Sequence, residues 1–202
     1  MITSASKIHI EQVVKIHCAS LPYDFLPQLG QDFLSKTFYP AVITSNQAEF
    51  LIDTDESGNV TGFIIVTLDS GKFLLQIIKD HFWSFAATGI RSSMHSLKHF
   101  QNNIQILFSS TFSNKNTHPV GEIYIIAVDE SLRGKGIGAS LVNTAEDYLQ
   151  QHSITAIKIK TRTSNKDWIS FFKKSGWSVI DQFNLIGNNY TVLQKYLCAS
   201  NR

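Results

Sequence analysis

A basic, glycine-rich turn between residues 133 and 139 carries the clearest chemical signal in this sequence. Arg133 and Lys135 supply positive charge, and the glycines at 134, 136 and 138 let backbone N–H groups converge without obstruction from a Cβ atom. A helix that begins beside the turn would add unpaired N–H donors and a partial positive charge. These residue types in this order predict a site for an anion such as a phosphate group.

The segments on either side of the turn have the patterns needed to position it. Residues 121–128 are short, apolar and β-branched, which is typical of a strand buried on both faces. Apolar residues then recur at helical spacing and predict a helix from about Gly136 to about His152. The residues with this spacing are Ile137, Leu141, Ala145, Tyr148 and Leu149.

Two other phosphate-binding loops fit the turn less well. A nucleoside triphosphate loop requires glycines farther apart, followed by Lys and then Ser or Thr. A dinucleotide fingerprint requires an early position in the chain and an acidic residue about 20 residues later. Here the turn lies past the midpoint, and the next predicted strand, residues 156–161, leads into Arg162 rather than an acid. A chance surface turn with basic residues is the remaining alternative.

The pattern Arg-x-x-Gly-x-Gly, formed by Arg133, Gly136 and Gly138, resembles the acetyl-CoA signature of the GCN5-related N-acetyltransferases, the GNAT family. A second motif extends the resemblance. Family members commonly show an Asn, an aromatic residue seven positions later and a Gly-aromatic pair four beyond that. The corresponding residues are Asn165, Phe172, Gly176 and Trp177. The resemblance covers residues 7–197, and its specific motifs lie within residues 122–177.

The resemblance implies an α+β fold with a mixed, mostly antiparallel twisted sheet of six to seven strands flanked by helices. It implies a single N-acetyltransferase domain over residues 1–202, with a helical insertion over residues 69–120 near the acceptor site. The donor would be acetyl-CoA, and the acceptor a primary amine of a small molecule that attacks it directly in a ternary complex. The oligomeric state would be a monomer or a homodimer.

The resemblance also assigns residues to the cofactor. Backbone groups at the end of the central strand would bind the pantetheine arm, and they belong to Ile126, Ala127 and Val128. The turn would hold the pyrophosphate through Arg133, Gly134, Lys135, Gly136, Ile137, Gly138 and Ala139. Asn165 and Phe172 would contact the cofactor from the following helix. Asn165 is equally suited to cap that helix.

Glu122 is the candidate catalytic residue. Acetyl transfer needs a group that accepts the amine proton, and a carboxylate within an otherwise apolar strand demands an explanation. The alternative is a strand-end Glu paired with a surface Lys or Arg. The backbone N–H of Val128 is a candidate donor to the oxyanion. Phe172 departs from the family, where a Tyr often protonates the leaving thiolate; Tyr124 and Tyr190 are the candidate substitutes.

The remaining elements follow from periodicity and turn residues. Helices are predicted over residues 8–21, 29–39 with a limit at Pro40, 73–85, 90–100 and 166–175. Strands are predicted over residues 48–53, 60–68, 104–108, 178–186 and 190–197, with a hairpin turn over residues 55–59 and a polar loop over residues 113–119.

Composition agrees with one globular domain. The chain has 202 residues and a formal net charge of +2, and this length can bury roughly 70% of its unfolded surface in one core. The near balance of charge predicts no nucleic-acid or membrane partner. Cys18 and Cys198 lack metal-like spacing, and His95 and His99 lack companion ligands, so no metal is predicted. Without an apolar signal core or spanning segment, the chain is predicted to be cytoplasmic.

Three functions are compatible with the sequence. The leading hypothesis is acetyl transfer to an amine, with an amino sugar as one candidate, because residues 21–30 and the aromatic insertion resemble GNAT members from surface-polysaccharide pathways. The second, motivated by Phe172, is a catalytically weak or inactive acyl-CoA-binding regulatory module. The third is a nucleotide-binding protein that uses the same turn.

Overall fold

The computed structural model describes residues 1–80, 120–185 and 187–197. Within these residues, seven strands form one sheet in the order β1-β2-β3-β4-β5-β7-β6. The strands are β1 (Ile2–Ser4), β2 (Ala48–Thr54), β3 (Val60–Thr67), β4 (Val120–Val128), β5 (Ala156–Arg162), β6 (Ser178–Leu185) and β7 (Asn188–Tyr196). The β4–β5 pair is parallel, and the other neighbours pair antiparallel. The predicted mixed, mostly antiparallel sheet is confirmed.

Helices flank both faces of this sheet. They are α1 (Ile10–Ser20), α2 (Phe25–Gln28), α3 (Gln31–Phe33), α4 (Tyr39–Thr44), α5 (Ser70–Asp80), α6 (Ile137–Gln151) and α7 (Lys166–Lys174). The strands and helices predicted on either side of the glycine-rich turn are confirmed to within two residues. The helix predicted over residues 73–85 is confirmed as far as Asp80. The predictions over residues 90–100, 104–108 and 113–119 lie outside the described residues.

The prediction that a helix ends at Pro40 is wrong. A wide π-helical turn over Leu34–Phe38 shifts the hydrogen bonding, so the Tyr39 N–H donates to the carbonyl of Leu34, five residues back. Pro40 then lies in the first turn of α4, where a missing N–H costs no helical hydrogen bond. The helical path therefore continues through Pro40 to Thr44.

Two apolar clusters hold the layers together, one on each face of the sheet. On one face, α1 and the segment from α3 to α4 pack against β2 and β3 around Phe63 and Tyr39, both fully buried. On the other face, α6 and α7 pack around Leu141, Leu149 and Phe172, also fully buried. All nine residues of β4 except Tyr124 are buried, which confirms a central strand covered on both faces.

The two parallel strands pair over only part of their length. Register pairs run from Val120 with Ala156 to Ile123 with Ile159, after which β4 and β5 continue without pairing to each other. At the same level, the ladder between β3 and β4 shifts register, and Tyr124 is the extra residue of this bulge. The separation of β4 from β5 opens the centre of the sheet, and the candidate site lies there.

Candidate functional site

A cavity of about 400 Å³ lies where β4 and β5 separate. Its walls come from the end of α1 and the following loop, from β4 residues 122–126, from β5 residues 159–162, and from the start of α7. Four of the sequence-predicted site residues line it: Glu122, Ile126, Asn165 and Phe172. The structure thus brings residues of the central strand together with residues of the second motif, whereas none of residues 133–139 lines the cavity.

Glu122 lies on the floor of this cavity between two lysines of β5. Its side chain is only 5% exposed; Oε1 lies 3.1 Å from the Nζ of Lys160, and Oε2 lies 3.5 Å from the Nζ of Lys158. The alternative prediction is a Glu at the end of a strand, paired with a surface Lys or Arg. Glu122 does form ion pairs, but it is buried, so that alternative is wrong about its position. Because Glu122 pairs in register with Lys158, the contacts follow directly from the parallel β4–β5 ladder.

Lys160 is the first residue of β5 beyond the last parallel pair. It lines the cavity, and its side chain retains 16% exposure. Burial lowers the pKa of Lys160 below its usual value, while the Glu122 carboxylate opposes this shift. The floor therefore presents one amine to the cavity with a carboxylate directly beside it.

Tyr124 is a second functional group on β4 that lines the cavity. Burial, reinforced by the charge of Glu122, raises the pKa of Tyr124 far above its usual value. Its ring packs edge-to-face on Phe73 of α5, with the centroids 5.0 Å apart. Tyr124 therefore keeps its phenolic proton at neutral pH and is held in one orientation.

Arg162 of β5 holds the loop after α1, and residues of this loop line the cavity. Its Nε lies 3.4 Å from Oδ1 of Asp24, its Nη1 donates to Oδ1 of Asn188 at 3.3 Å, and its Nη2 donates to the backbone carbonyl of Tyr23. Burial raises the pKa of Asp24, and the adjacent guanidinium opposes that rise. Nearby, Tyr190 also lines the cavity.

His17 reaches the cavity from α1 and is almost completely buried. Its Nδ1 shares a hydrogen bond of 2.7 Å with the hydroxyl of Tyr39, and its ring packs edge-to-face on Phe63. Burial lowers the pKa of His17 from 6.5 to about 4, so the imidazole is neutral at physiological pH.

This shift predicts a pH-dependent stability. Below pH 6.5 the unfolded chain binds a proton at His17 that the folded chain does not, so the free energy of unfolding falls as the pH falls towards 4. We expect this residue to cost about 2 kcal/mol between pH 7 and pH 5. The His17→Gln variant keeps an amide that can still bond Tyr39 but has no imidazole to titrate. Urea unfolding at both pH values should show that this variant loses about 2 kcal/mol less stability between pH 7 and pH 5 than the unaltered chain does. An identical pH dependence in both proteins would contradict the prediction.

The glycine-rich turn adjoins the cavity through Trp168. Gly134 and Gly136 have φ angles of +78° and +84°, a region that side-chain-bearing residues rarely adopt. Gly136 is the N-cap of α6 and provides no side-chain cap. Gly138 lies in the first turn of α6, where a Cβ atom would come within 3.1 Å of the Trp168 indole, which itself lines the cavity.

The N-terminus of α6 has the donors that the anion prediction requires. Among the described residues, no backbone carbonyl accepts the N–H groups of residues 134–139. Arg133 is half-exposed and makes a loose ion pair of 3.4 Å with Glu130. Ala127 and Val128 end β4 just before this turn, and Ile137, Gly138 and Ala139 form the first turn of α6.

Asn165 stands at the N-cap position of α7, but its side chain does not cap the helix. Its Nδ2 lies 3.5 Å from Oγ1 of Thr161, a long contact, and the residue lines the cavity. The prediction that the Asn165 side chain caps this helix is therefore wrong. The amide remains available to a molecule in the cavity.

Phe172 is fully buried and packs between Trp168, at 5.4 Å, and Trp177, at 4.8 Å, measured between ring centroids. The aromatic positions of the second motif thus form one cluster behind the cavity. Sequence patterns did not identify His17, Asp24, Lys160 or Arg162 as cavity residues. The alternation of Lys158 and Lys160 on one face of an otherwise apolar strand was the available signal for the lysines.

Two further observations concern the described residues only. They contain no group of three or more His, Cys, Asp or Glu side chains that could hold a metal ion; His95 and His99 lie outside them. In the same part of the chain, no helix has the length and apolar character needed to cross a membrane.

The fold and the site together define a class of protein. A central strand leads into an uncapped, glycine-rich helix N-terminus, and its parallel neighbour diverges to open a cavity beside it. The sequence model of the Acetyltransferase (GNAT) family matches residues 10–177. The chain belongs to this family.

Two curated relatives match a shorter segment. An uncharacterized N-acetyltransferase of Methanocaldococcus jannaschii is 35% identical over 65 residues, which cover 32% of this chain and 29% of the relative. Mycothiol acetyltransferase of Propionibacterium freudenreichii subsp. shermanii is 25% identical over 68 residues, which cover 34% of this chain and 22% of the relative. The matched segments span less than a third of the length of either relative.

A solved structure matches over nearly the whole chain. An N-acetyltransferase from Staphylococcus aureus Mu50 superposes with a TM-score of 0.64 at 14% sequence identity, covering 98% of both chains. This similarity concerns the fold, and it confirms the predicted fold class. The names of the family and of both curated relatives agree with the predicted enzyme class, an acyltransferase.

Proposed function

We propose that this chain transfers an acetyl group from acetyl-CoA to a primary amine of a small molecule, by direct attack within a ternary complex. The observation that carries the proposal is the separation of β4 from β5 beyond Ile123 and Ile159. It lies beside a helix N-terminus whose N–H groups bond no backbone carbonyl of the described residues. The separation leaves room for a narrow chain such as the pantetheine arm. Family membership supports acetyl-CoA as the donor.

The residues present fit the proposed donor substrate. The N–H groups of residues 134–139 and the cations of Arg133 and Lys135 would hold the pyrophosphate. Backbone groups of Ile126, Ala127 and Val128 would bind the pantetheine amides. Asn165 and Phe172 would contact the same arm from α7, the first through its uncapped amide and the second through its ring.

Glu122 would accept the proton that the attacking amine loses. Its carboxylate lies on the cavity floor and is held by Lys158 and Lys160, so its position is fixed before any substrate binds. The backbone N–H of Val128 would donate to the oxyanion that forms on the thioester carbonyl.

Tyr124 is the first candidate to protonate the departing thiolate, since Phe172 has no hydroxyl. It lines the cavity and carries its proton at neutral pH, although its raised pKa makes it a weaker acid than an ordinary tyrosine. Tyr190 also lines the cavity and is the second candidate; its ring stacks on Phe183, with the centroids 5.4 Å apart.

Replacing this proton donor should slow turnover. We expect Tyr124→Phe to lower kcat about 100-fold, because one positioned acid is lost while the ring and its packing on Phe73 remain. Tyr190→Phe is the matched control and should change kcat by less than about threefold. The measurement is steady-state release of coenzyme A thiol with a saturating amine. Equal effects of the two substitutions would contradict the assignment to Tyr124.

The experiment that tests the proposed function is a screen for thiol release from acetyl-CoA with amino sugars, polyamines and amino acids. Amine-dependent release supports the proposal, and an amino sugar is one candidate from the sequence. Tight acetyl-CoA binding without thiol release across the panel would favour the second candidate, an acyl-CoA-binding regulatory module. Phe172 favours this candidate because it has no hydroxyl group that could protonate the leaving thiolate. A thermal shift with ATP or NAD but not with coenzyme A would favour a nucleotide-binding protein.

A further inference from the structure

The cavity contains an amine of the protein itself. Lys160 lies at the point where β4 and β5 part, and its Nζ has no aligned hydrogen-bond partner among the described residues. Its contact with Glu122 is an ion pair of 3.1 Å, shorter than the 3.5 Å between Glu122 and Lys158. The floor of the proposed acetyl-transfer site therefore already holds an amine, which becomes a nucleophile once it loses a proton, beside a carboxylate that can accept that proton.

Lys158, the other lysine beside Glu122, differs from Lys160 in its access to the cavity. Lys158 pairs in register with Glu122, is only 5% exposed and does not line the cavity. Lys160 is two residues farther along the same strand, where no β4 neighbour is paired with it, and it does line the cavity. Only Lys160 of this pair can meet a molecule that enters between the strands. Burial also lowers its pKa, which increases the fraction of neutral amine.

Resting on the proposed function, we propose that Lys160 is itself an acetyl acceptor, and that it becomes Nε-acetyllysine when acetyl-CoA is bound without an amine substrate. Nζ passes one proton to Glu122 and attacks the thioester carbonyl carbon. The C–N bond forms, the C–S bond breaks with its electron pair on sulfur, and the second nitrogen proton neutralises the thiolate. The products are acetyllysine, coenzyme A thiol and a protonated Glu122, which returns its proton to solvent.

Acetylation would change the cavity as well as the lysine. The amide carries no charge, so Glu122 would retain Lys158 as its cationic partner and the floor would lose one positive charge. An amide is too stable to return the acetyl group to an incoming amine. The modification is therefore a lasting mark that forms when donor is bound and acceptor is scarce, and it is not a step of turnover.

The test uses the full chain incubated with acetyl-CoA in the absence of any amine, followed by peptide mapping with mass spectrometry. We expect Lys160 to gain an acetyl group at least about tenfold faster than Lys36 and Lys72, which are 73% exposed and report direct chemical acetylation. Excess coenzyme A should suppress labelling of Lys160 alone. Lys158 should remain unlabelled under the same conditions.

Two variants test whether the fast labelling depends on Lys160 itself. Lys160→Arg keeps the positive charge and should abolish the fast labelling, whereas Lys36→Arg, at an exposed residue outside the cavity lining, should retain it. Mapping of the unaltered chain decides the question even where a variant folds poorly. Labelling of Lys160 at the same rate as Lys36, or labelling that coenzyme A does not suppress, would overturn the inference.

Acetyl-CoA binding, measured by calorimetry on the same samples, distinguishes failure of the proposed function from failure of the inference about Lys160. Binding without acetylation of Lys160 overturns the inference and leaves the proposed function standing. Absence of binding overturns both. A preparation that turns over with an amine, but whose Lys160 stays unmodified when acetyl-CoA is supplied alone, also overturns only the inference.

Discussion

The Glu122→Gln variant is expected to bind acetyl-CoA as the unaltered chain does and to lose about 100-fold to 10,000-fold in kcat. The substitution keeps the size of the side chain and removes its ability to accept a proton. Acetyl-CoA affinity should persist because the proposed contacts lie on the β4 backbone, on α7 and in the glycine-rich turn. Steady-state thiol release with a saturating amine measures kcat, and calorimetry measures acetyl-CoA affinity on the same preparation.

Loss of this carboxylate also has a structural cost that must be separated from catalysis. Lys158 and Lys160 would lose their shared partner in a buried site, which typically destabilises a protein by about 3–5 kcal/mol. The matched control is Glu146→Gln. Glu146 of α6 is 12% exposed, accepts from Lys195 at 2.7 Å and lies outside the cavity lining.

The Glu146→Gln variant should lose stability while kcat stays unchanged. A folded Glu122→Gln variant with unaltered kcat would show that Glu122 serves only as the partner of the two lysines. Comparing the variants at a temperature at which both are fully folded removes the effect of stability on the rate.

The segment from β4 through the turn to α6 was predictable because its signals are local. The apolar run of residues 121–128, the glycines of the turn and the helical spacing from Ile137 all lie within one stretch of about 30 residues. The hairpin between β2 and β3 is similar, since Oδ1 of Asp55 accepts the N–H groups of Ser57 and Asn59 within the turn itself. Such features need no knowledge of the rest of the fold.

The floor of the cavity was not predictable in this way, because it depends on register between distant strands. Glu122 meets Lys158 only through the parallel pairing of β4 with β5, and that pairing ends one residue later. Likewise, Arg162 reaches Tyr23 across 139 positions of sequence. A single sequence contains the residue types but not the alignment that brings them together.

Two elements escaped prediction for different physical reasons. Strand β1 has three residues, exposed or half-exposed, so it shows no apolar alternation; it is added to the sheet edge by pairing with Leu51, Ile52 and Asp53 of β2. The general rule that proline ends a helix predicts a limit at Pro40, but the π-helical turn before it accommodates the ring. Both outcomes were decided by neighbouring backbone rather than by side-chain pattern.

Placing a carboxylate at the N-terminus of α6 should have the second large effect. Gly136→Asp puts a negative charge where we propose that the pyrophosphate binds, and we expect the Kd for acetyl-CoA to rise about 10-fold to 100-fold, or about 1.4–2.8 kcal/mol. Titration calorimetry at two salt concentrations measures the affinity, and the difference between variants should shrink at high salt because screening weakens the repulsion.

The chain provides a close control for the backbone strain that any side chain at this position creates. Gly58, in the hairpin between β2 and β3, has a φ of +82° against +84° for Gly136, and a Cβ atom at either residue would have no heavy atom within 4 Å. Strain in this backbone region costs about 1–2 kcal/mol for most residues, so Gly58→Asp and Gly136→Asp should lower thermal stability similarly. Only the second should weaken acetyl-CoA binding. The alanine pair, Gly58→Ala and Gly136→Ala, then separates the steric effect from the charge. Equal affinities in the two aspartate variants would rule out pyrophosphate binding at this turn.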